Sequence, residues 1–273
     1  MNVFIVGLGV MGASYAEALN QKGYRVDGYD QDPDTLRKAI NDQIIETGHL
    51  EGLKKAELVI LALYPQDNIL FVQTHKHLFH KDQLITDLSG TKAHMVKLIE
   101  DLLPKDVSYV SHHPMAGREL SGYDAKKPSM FLGANFVIIT SDQTQTKDEE
   151  IIKKLAIDLG FKNIITLDAA THDQLIAYTS QLTHVLAVSL MHMDRFEETP
   201  KAIGDSFRDL TRIARINENM WTELFIENKH YLSESIHHMI DELKKIDDMI
   251  LSDAKVSLNT YLKKAKEKRK QFD

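Results

Sequence analysis

Residues 2–12 read Asn2-Val3-Phe4-Ile5-Val6-Gly7-Leu8-Gly9-Val10-Met11-Gly12, an apolar run that opens into three glycines spaced Gly-x-Gly-x-x-Gly. The run predicts a strand, and residues 11–22 have helical apolar spacing, so the glycines stand in a strand-to-helix turn. Each glycine has its own task there. Gly7 permits the tight turn, Gly9 lets backbone N–H groups approach a pyrophosphate, and Gly12 lets the helix pack closely on the strand. Leu8, Val10 and Met11 complete the loop, and the helix N-terminus adds partial positive charge where phosphates would sit. A second predicted strand, Arg25–Tyr29, leads directly into Asp30. A carboxylate at that point accepts hydrogen bonds from ribose hydroxyls and repels a 2′-phosphate, which predicts NAD rather than NADP.

Working outward, further apolar runs at 58–63, 83–87, 108–111, 136–139 and 163–167 predict strands. They alternate with helical patterns at 33–42, 92–103 and 148–159, the signature of parallel βαβ units. Asp32 before Pro33 predicts an N-cap with proline at the first helical position. After Asp168 the spacing is helical throughout, interrupted only by Pro200 and Gly204. The expected architecture is α/β: a doubly wound Rossmann-type sheet over 1–168, followed by an all-helical second domain over 169–273. Ile236, Met239, Ile240, Leu243, Ile246, Ile250 and Leu251 form a long apolar stripe at helical spacing, which predicts a homodimer through the helical domain.

Composition narrows the function classes. The chain has 273 residues, 43% hydrophobic and 27% charged, with a formal net charge of −7. That range belongs to ordinary globular proteins and excludes disorder and collagen-like repeats. The acidic balance argues against a nucleic-acid partner. With no cysteine there is no disulfide, thiolate nucleophile or Cys-based metal site. No run approaches the roughly 20 apolar residues of a membrane span. The apolar N-terminus lacks a basic leader and carries Glu17, so a cytoplasmic protein without a membrane partner is expected. His75, His77 and His80 cluster without a paired carboxylate or an HExxH pattern, and no metal site is expected.

Two further segments carry chemistry. Ser111-His112-His113-Pro114-Met115-Ala116-Gly117-Arg118-Glu119 follows a strand, where ligands of such sheets bind. The residue before proline is held extended, so His113 is expected to project from a loop, and its imidazole suits proton abstraction near neutral pH. In the helical half, Ser180 and His184 are four apart and share a face. Phe207-Arg208-Asp209-Leu210-Thr211-Arg212-Ile213-Ala214 offers Arg212 as a bidentate carboxylate ligand, and Trp221, the only tryptophan, follows.

Taken in order, GLGVMG, YDQD, HHPMAGRE, HDQLIAYTSQLTH, FRDLTRIA and ENMW make the chain similar to the prephenate/arogenate dehydrogenase family, from residue 2 to about 230. The resemblance implies NAD-dependent oxidation of a cyclohexadienol with loss of the ring carboxylate, giving 4-hydroxyphenylpyruvate from prephenate or tyrosine from arogenate. It implies that His113 takes the hydroxyl proton and Arg212 binds substrate carboxylate. Glu119, Ser180, His184, Asp209 and Trp221 fall on positions that line or support the family's pocket. The family has a Gly-Ser pair after the fourth strand whose serine bonds the catalytic histidine. Here the segment is Asp87-Leu88-Ser89-Gly90-Thr91-Lys92, so Gly90 falls at that position and Ser89 or Thr91 is expected to supply the hydroxyl. The family's SHLPH motif is Ser180-Gln181-Leu182-Thr183-His184, without its first histidine and its proline. The length suggests a stand-alone dehydrogenase core with no regulatory domain. A β-hydroxyacid dehydrogenase is the nearest rival, but residues 169–190 hold neither the lysine nor the glycine it needs. A non-catalytic NAD sensor would have no use for His113, Glu119 and Arg212 together.

Overall fold

The structure, a computed structural model, describes every residue except 118, 119 and 273. The chain opens with β1 (Asn2–Val6), α1 (Val10–Gln21), β2 (Arg25–Tyr29) and α2 (Pro33–Asn41). Then come β3 (Leu58–Leu61), α3 (Pro65–His75), β4 (Leu84–Asp87), α4 (Ala93–Leu102) and the two-residue β5 (Ser108–Tyr109). These strands pair in parallel in the order β2-β1-β3-β4-β5. The order reverses direction between β1 and β3, the switch point where such sheets bind ligands.

In β1, Val3, Phe4, Ile5 and Val6 are all buried, with Val3 and Ile5 in the core on one face and Phe4 and Val6 in the core on the other. Burial on both faces explains why the strand reads as an unbroken apolar run and not as an alternation. Each such side chain contributes about 1.5–3 kcal/mol on leaving water. The predicted cap of α2 is present: the Asp32 carboxylate accepts from the N–H groups of Asp34 (3.1 Å) and Thr35 (3.3 Å), with Pro33 in the first turn.

The predicted strand 108–111 is broken at Val110. Its second half becomes β6 (Ser111–Met115), which pairs antiparallel with β7 (Asn135–Thr140) in a second sheet. After α5 (Thr146–Leu159), β8 (Asn163–Asp168) pairs parallel with β7. The expectation of parallel pairing throughout therefore fails at β6–β7. The described chain between them holds two short 3₁₀ turns and no crossover helix, and antiparallel neighbours need none.

From residue 169 the described chain is helical. α6 (Ala169–Ile176) passes through a π turn at Ala177–Gln181 into α7 (Leu182–Met193), followed by the short α8 (Thr199–Ala202), α9 (Asp205–Thr211) and α10 (Glu218–Glu227). α11 (Lys229–Leu251) and α12 (Lys255–Arg269) complete it. By compactness the chain divides into Met1–Asn228 and Lys229–Asp273. The change of secondary structure after Asp168 thus comes well before the change of packing, and α6–α10 belong to the unit that holds the sheets. Polar contacts fasten them there. The Thr91 hydroxyl donates to Glu227 (2.6 Å), and the Gln66 N–H donates to Glu223 (2.7 Å). In the second unit the Tyr261 hydroxyl of α12 donates to Glu242 of α11. Ile240, Leu243, Ile250 and Leu251 on α11 are exposed.

Candidate active site

The glycine turn has the geometry its sequence predicts. Gly7 has φ +88°, and a Cβ there would lie 2.9 Å from the Ala62 carbonyl oxygen. A Cβ on Gly12 would lie 1.9 Å from the Gly7 carbonyl oxygen, so helix and strand approach as only glycine allows. Gly9 differs: nothing stands within 4 Å of the place its Cβ would take. α1 starts with no side-chain cap at Gly9 and no acidic residue in its first turn. Its first N–H groups therefore have neither a side-chain acceptor nor a competing carboxylate, which is what a pyrophosphate requires. Asp30 braces the turn, its carboxylate accepting from the N–H groups of Leu8 (2.7 Å) and Asp32 (2.9 Å). The residues present fit a dinucleotide.

His113 is not on a loop. It lies in β6 opposite Val137 of β7. Extended backbone before Pro114 was the right local reading, but antiparallel pairing with a distant strand turns extension into a strand. The register that pairs Leu84 with Ser108 and Ile85 with Tyr109 runs out at Asp87. His113, half-buried, therefore stands just past the carboxyl edge of the parallel sheet, the edge from which the Gly7–Gly12 turn also leaves. Burial, with His172, Lys92 and His112 nearby, holds its imidazole well below the usual histidine pKa and so keeps it neutral.

Among the described residues neither expected hydroxyl is bonded to His113. Ser89 Oγ accepts from Asn68 (3.0 Å), Thr91 Oγ1 donates to Glu227, and Gly90 has no side chain. The partner of His113 Nδ1 is instead Nε2 of His172 on α6, at 2.9 Å. His172 Nδ1 lies 2.7 Å from Asp173 Oδ1, and the Asp173 carboxylate accepts the N–H groups of Lys92 and Ala93 where α4 begins.

A buried polar cluster underlies this point. Lys92, wholly buried, donates from Nζ to Asp87 Oδ2 (2.7 Å) and to the His112 carbonyl (2.7 Å). Asp87 also accepts from Tyr109 (2.6 Å), Ser111 (2.5 Å) and the Ser89 N–H (2.8 Å). Burial opposes the Asp87 charge, but Lys92 and these donors hold its carboxyl below the usual range. Removing Lys92 alone would strand that carboxylate, a loss of about 3–5 kcal/mol. His112 is a core residue, stacked on Phe136 and bonded to Thr86 (2.6 Å) and Tyr15 (3.0 Å). Burial drives its pKa down to about 3.

Arg212 lies in a 3₁₀ turn after α9 and lines a pocket of about 490 Å³ with Arg208, Asp209, Thr211, Arg215 and Met191. Three guanidinium groups thus border one cavity, and among its described lining residues Asp209 supplies a carboxylate. His113 is not among the residues lining it. Arg208 also pairs with Asp205 (2.8 Å) in an exposed ion pair that adds little stability. Ser180 falls in the π turn, and its backbone carbonyl lies 2.9 Å from His184 Nδ1. The His184 ring stacks on Trp221 with centroids 3.7 Å apart. Glu119 lies outside the described residues.

Sequence reading passed over His172, Asp173, Lys92 and Asp87. The signal for the first pair was a His-Asp dipeptide in the first helix after Asp168, with His172 and Ile176 one turn apart and both buried. Among the described residues no group of three or more His, Asp or Glu side chains could hold a metal ion. No described helix is long and apolar enough to cross a membrane.

Comparison with known proteins gives the lineage. Residues 15–165 match the family model for the nucleotide-binding domain of prephenate dehydrogenase, and residues 168–264 match that for its dimerization domain. The chain is 28% identical to a prephenate dehydrogenase of Bacillus subtilis (strain 168), over 98% of this chain and 75% of that protein. It is also 28% identical to a cyclohexadienyl dehydrogenase of Zymomonas mobilis, over 92% of this chain and 89% of that one. A crystal structure of prephenate dehydrogenase from A. aeolicus, in complex with hydroxyphenyl propionate and NAD+, superposes with a TM-score of 0.91 at 28% identity, covering 100% of this chain and 98% of that one. With both domain models matched along its length, the chain belongs to the prephenate dehydrogenase family.

Proposed function

We propose that this chain is a cytoplasmic NAD-dependent dehydrogenase that converts prephenate to 4-hydroxyphenylpyruvate with loss of carbon dioxide, a step of tyrosine biosynthesis, arogenate being the alternative substrate. The observation that carries this reading is the placement of His113, bonded to His172, at the same sheet edge as an uncapped glycine turn. Hydride acceptance is the chemistry that NAD supplies when bound. Gly7–Gly12 would hold its pyrophosphate against the start of α1, and Asp30 would meet the adenosine ribose while bracing the turn.

His113 would take the proton of the ring hydroxyl as the carbinol carbon loses hydride. Aromatisation then drives departure of the ring carboxylate as carbon dioxide. A base on the hydroxyl and cations on the carboxylates stabilise the charge that develops in such a transition state. Prephenate carries two carboxylates, and the pocket bordered by Arg208, Arg212 and Arg215 suits an anion of that kind. We assign Arg212 to carboxylate binding, with Asp209, Ser180, His184, Trp221 and Glu119 lining or supporting the pocket. Ser89 and Thr91 act in this reading as supporting groups beside the site, with Ser89 Oγ accepting from Asn68 and Thr91 donating to Glu227.

We place the functional division at 1–168 for cofactor binding and 169–273 for substrate binding and dimerisation. The exposed apolar side chains of α11 and the dimerization-domain match support a homodimer. The test is steady-state NADH formation with prephenate and arogenate in parallel, each with NAD and NADP, and light scattering on the same sample. Prephenate-dependent NADH formation by a dimer is expected. A fold-intact protein inert toward both substrates would overturn the activity, and a monomer of 31.1 kDa at micromolar concentration would overturn the dimer.

A further inference from the structure

We propose that His172 and Asp173 are positioning residues that fix the tautomer of His113, placing its hydrogen on Nδ1 and its lone pair on Nε2, the nitrogen that meets the substrate hydroxyl. The inference deepens the function proposed above and rests on it only for the identity of the substrate.

Asp173 anchors the chain of bonds. Asp173 Oδ1 accepts the Lys92 N–H at 2.9 Å, and Oδ2 accepts the Ala93 N–H at 2.8 Å. Both oxygens are engaged as acceptors at the start of α4, where the helix dipole favours a carboxylate. His172 Nδ1, 2.7 Å from Oδ1, therefore faces an acceptor and must carry hydrogen. A neutral imidazole with hydrogen on Nδ1 has only a lone pair at Nε2. That lone pair lies 2.9 Å from His113 Nδ1, which must then be the donor. His113 Nε2 is left unprotonated. Neither ring can rotate or change tautomer without breaking the chain of bonds, and His172 is buried.

The chain also serves the reacting state. When the hydroxyl O–H bond breaks, the proton moves to His113 Nε2, and the C–H electron pair leaves as hydride to the bound cofactor. The resulting imidazolium is then a charge-assisted donor to His172, whose own N–H points at a carboxylate. No second proton need move. Among the described residues, the charged and titratable groups around the pair are Lys92, Asp87, His112 and Asp173. Burial first, and Lys92 next to it, disfavours a protonated His172, against the pull of Asp173.

Two measurements test this. In the ¹⁵N-histidine-labelled wild-type enzyme at pH 7.5, with signals assigned from the spectra of His113→Asn and His172→Gln, His113 should show a protonated Nδ1 and an imine-type Nε2. A protonated Nε2 on His113 would overturn the proposal, and this arm needs no turnover. In kinetics, His172→Leu keeps the volume but removes the acceptor. Its kcat should fall about 10- to 100-fold, the usual range for losing such a supporting partner, with the NAD dissociation constant unchanged. His172→Gln returns an acceptor near the position of Nε2 and should recover most of that loss. Wild-type kcat in His172→Leu, or equal loss in both variants, would reduce His172 to packing and overturn the proposal. A wild-type enzyme that forms no NADH from either substrate would instead refute the function while the tautomer measurement still stands.

Discussion

Gly9 and Gly12 sit three residues apart, yet adding one methyl group to each should do different things. A Cβ on Gly12 would lie 1.9 Å from the Gly7 carbonyl oxygen, where ordinary contact begins at 3.4 Å. Backbone must therefore move by about 1.5 Å, and overpacking of that kind costs about 1–3 kcal/mol or more. For a unit of this size about 3 kcal/mol corresponds to a Tm loss of roughly 6–12 °C. Gly9 has extended backbone (φ −69°, ψ −164°) and no neighbour within 4 Å of its Cβ position, so alanine fits the free protein without strain. The same methyl group would occupy the space into which a pyrophosphate must come. Losing one or two charge-assisted hydrogen bonds at about 1.5–3 kcal/mol each weakens binding by about 10- to 10³-fold or more. Calorimetric NAD titration and thermal melting of both variants read the two effects apart. Gly12→Ala should lose stability and NAD binding together, whereas Gly9→Ala should keep its Tm and lose NAD binding. Gly9→Ala binding NAD within threefold of wild type would refute the placement of the pyrophosphate.

Three more outcomes follow from the same geometry. Asp30→Ser removes the ribose acceptor and the brace on the Leu8 N–H, so NAD affinity should drop about 10- to 100-fold and discrimination against NADP should relax; an unchanged NAD/NADP ratio in direct titrations refutes the assignment. Arg212→Gln should raise the substrate Michaelis constant about 10- to 100-fold with NAD binding unaffected, and a wild-type constant would refute the carboxylate-binding assignment. Burial lowers the pKa values of His112, His113 and His172 in the folded protein, so below about pH 6.5 the unfolded chain binds more protons than the folded one. Stability is then full above that pH and declines as pH falls, by up to about 1.4 kcal/mol per pH unit for each histidine, and equal Tm values at pH 7.5 and pH 5.5 would contradict it.

The parts legible in the sequence are those set by local chemistry. The glycine spacing, the Asp32–Pro33 cap and the unbroken apolar run of β1 each follow from a few adjacent residues, and each is present as read. What escaped reading depends on partners far along the chain. Nothing near His113 announces that β6 will pair with β7, which begins at Asn135. Nothing near Ser89 or Thr91 shows that Asn68 and Glu227 will claim their hydroxyls. The bond from His113 to His172 spans 59 positions, and its logic depends on a carboxylate fixed to the start of a third element, α4. Lysines are rarely buried, and Lys92 is buried because it pairs with Asp87, a partner that nothing local in the sequence marks as buried. His112, beside His113 in sequence, points instead into the core against Phe136, Thr86 and Tyr15, so His112→Asn is a stability variant.

The central claim is that His113 is the base, and kcat of His113→Asn for NADH formation from prephenate tests it most directly, with the exposed His77→Asn as the control. The variant should lose about 10²–10⁴-fold in kcat while NAD binding and Tm stay near wild type. In the wild-type enzyme the lowered pKa of His113 should keep kcat level from pH 8 down through 6.5, with loss of activity only at lower pH as the imidazole protonates. A His113→Asn enzyme that turns over within a few fold of wild type would contradict the account.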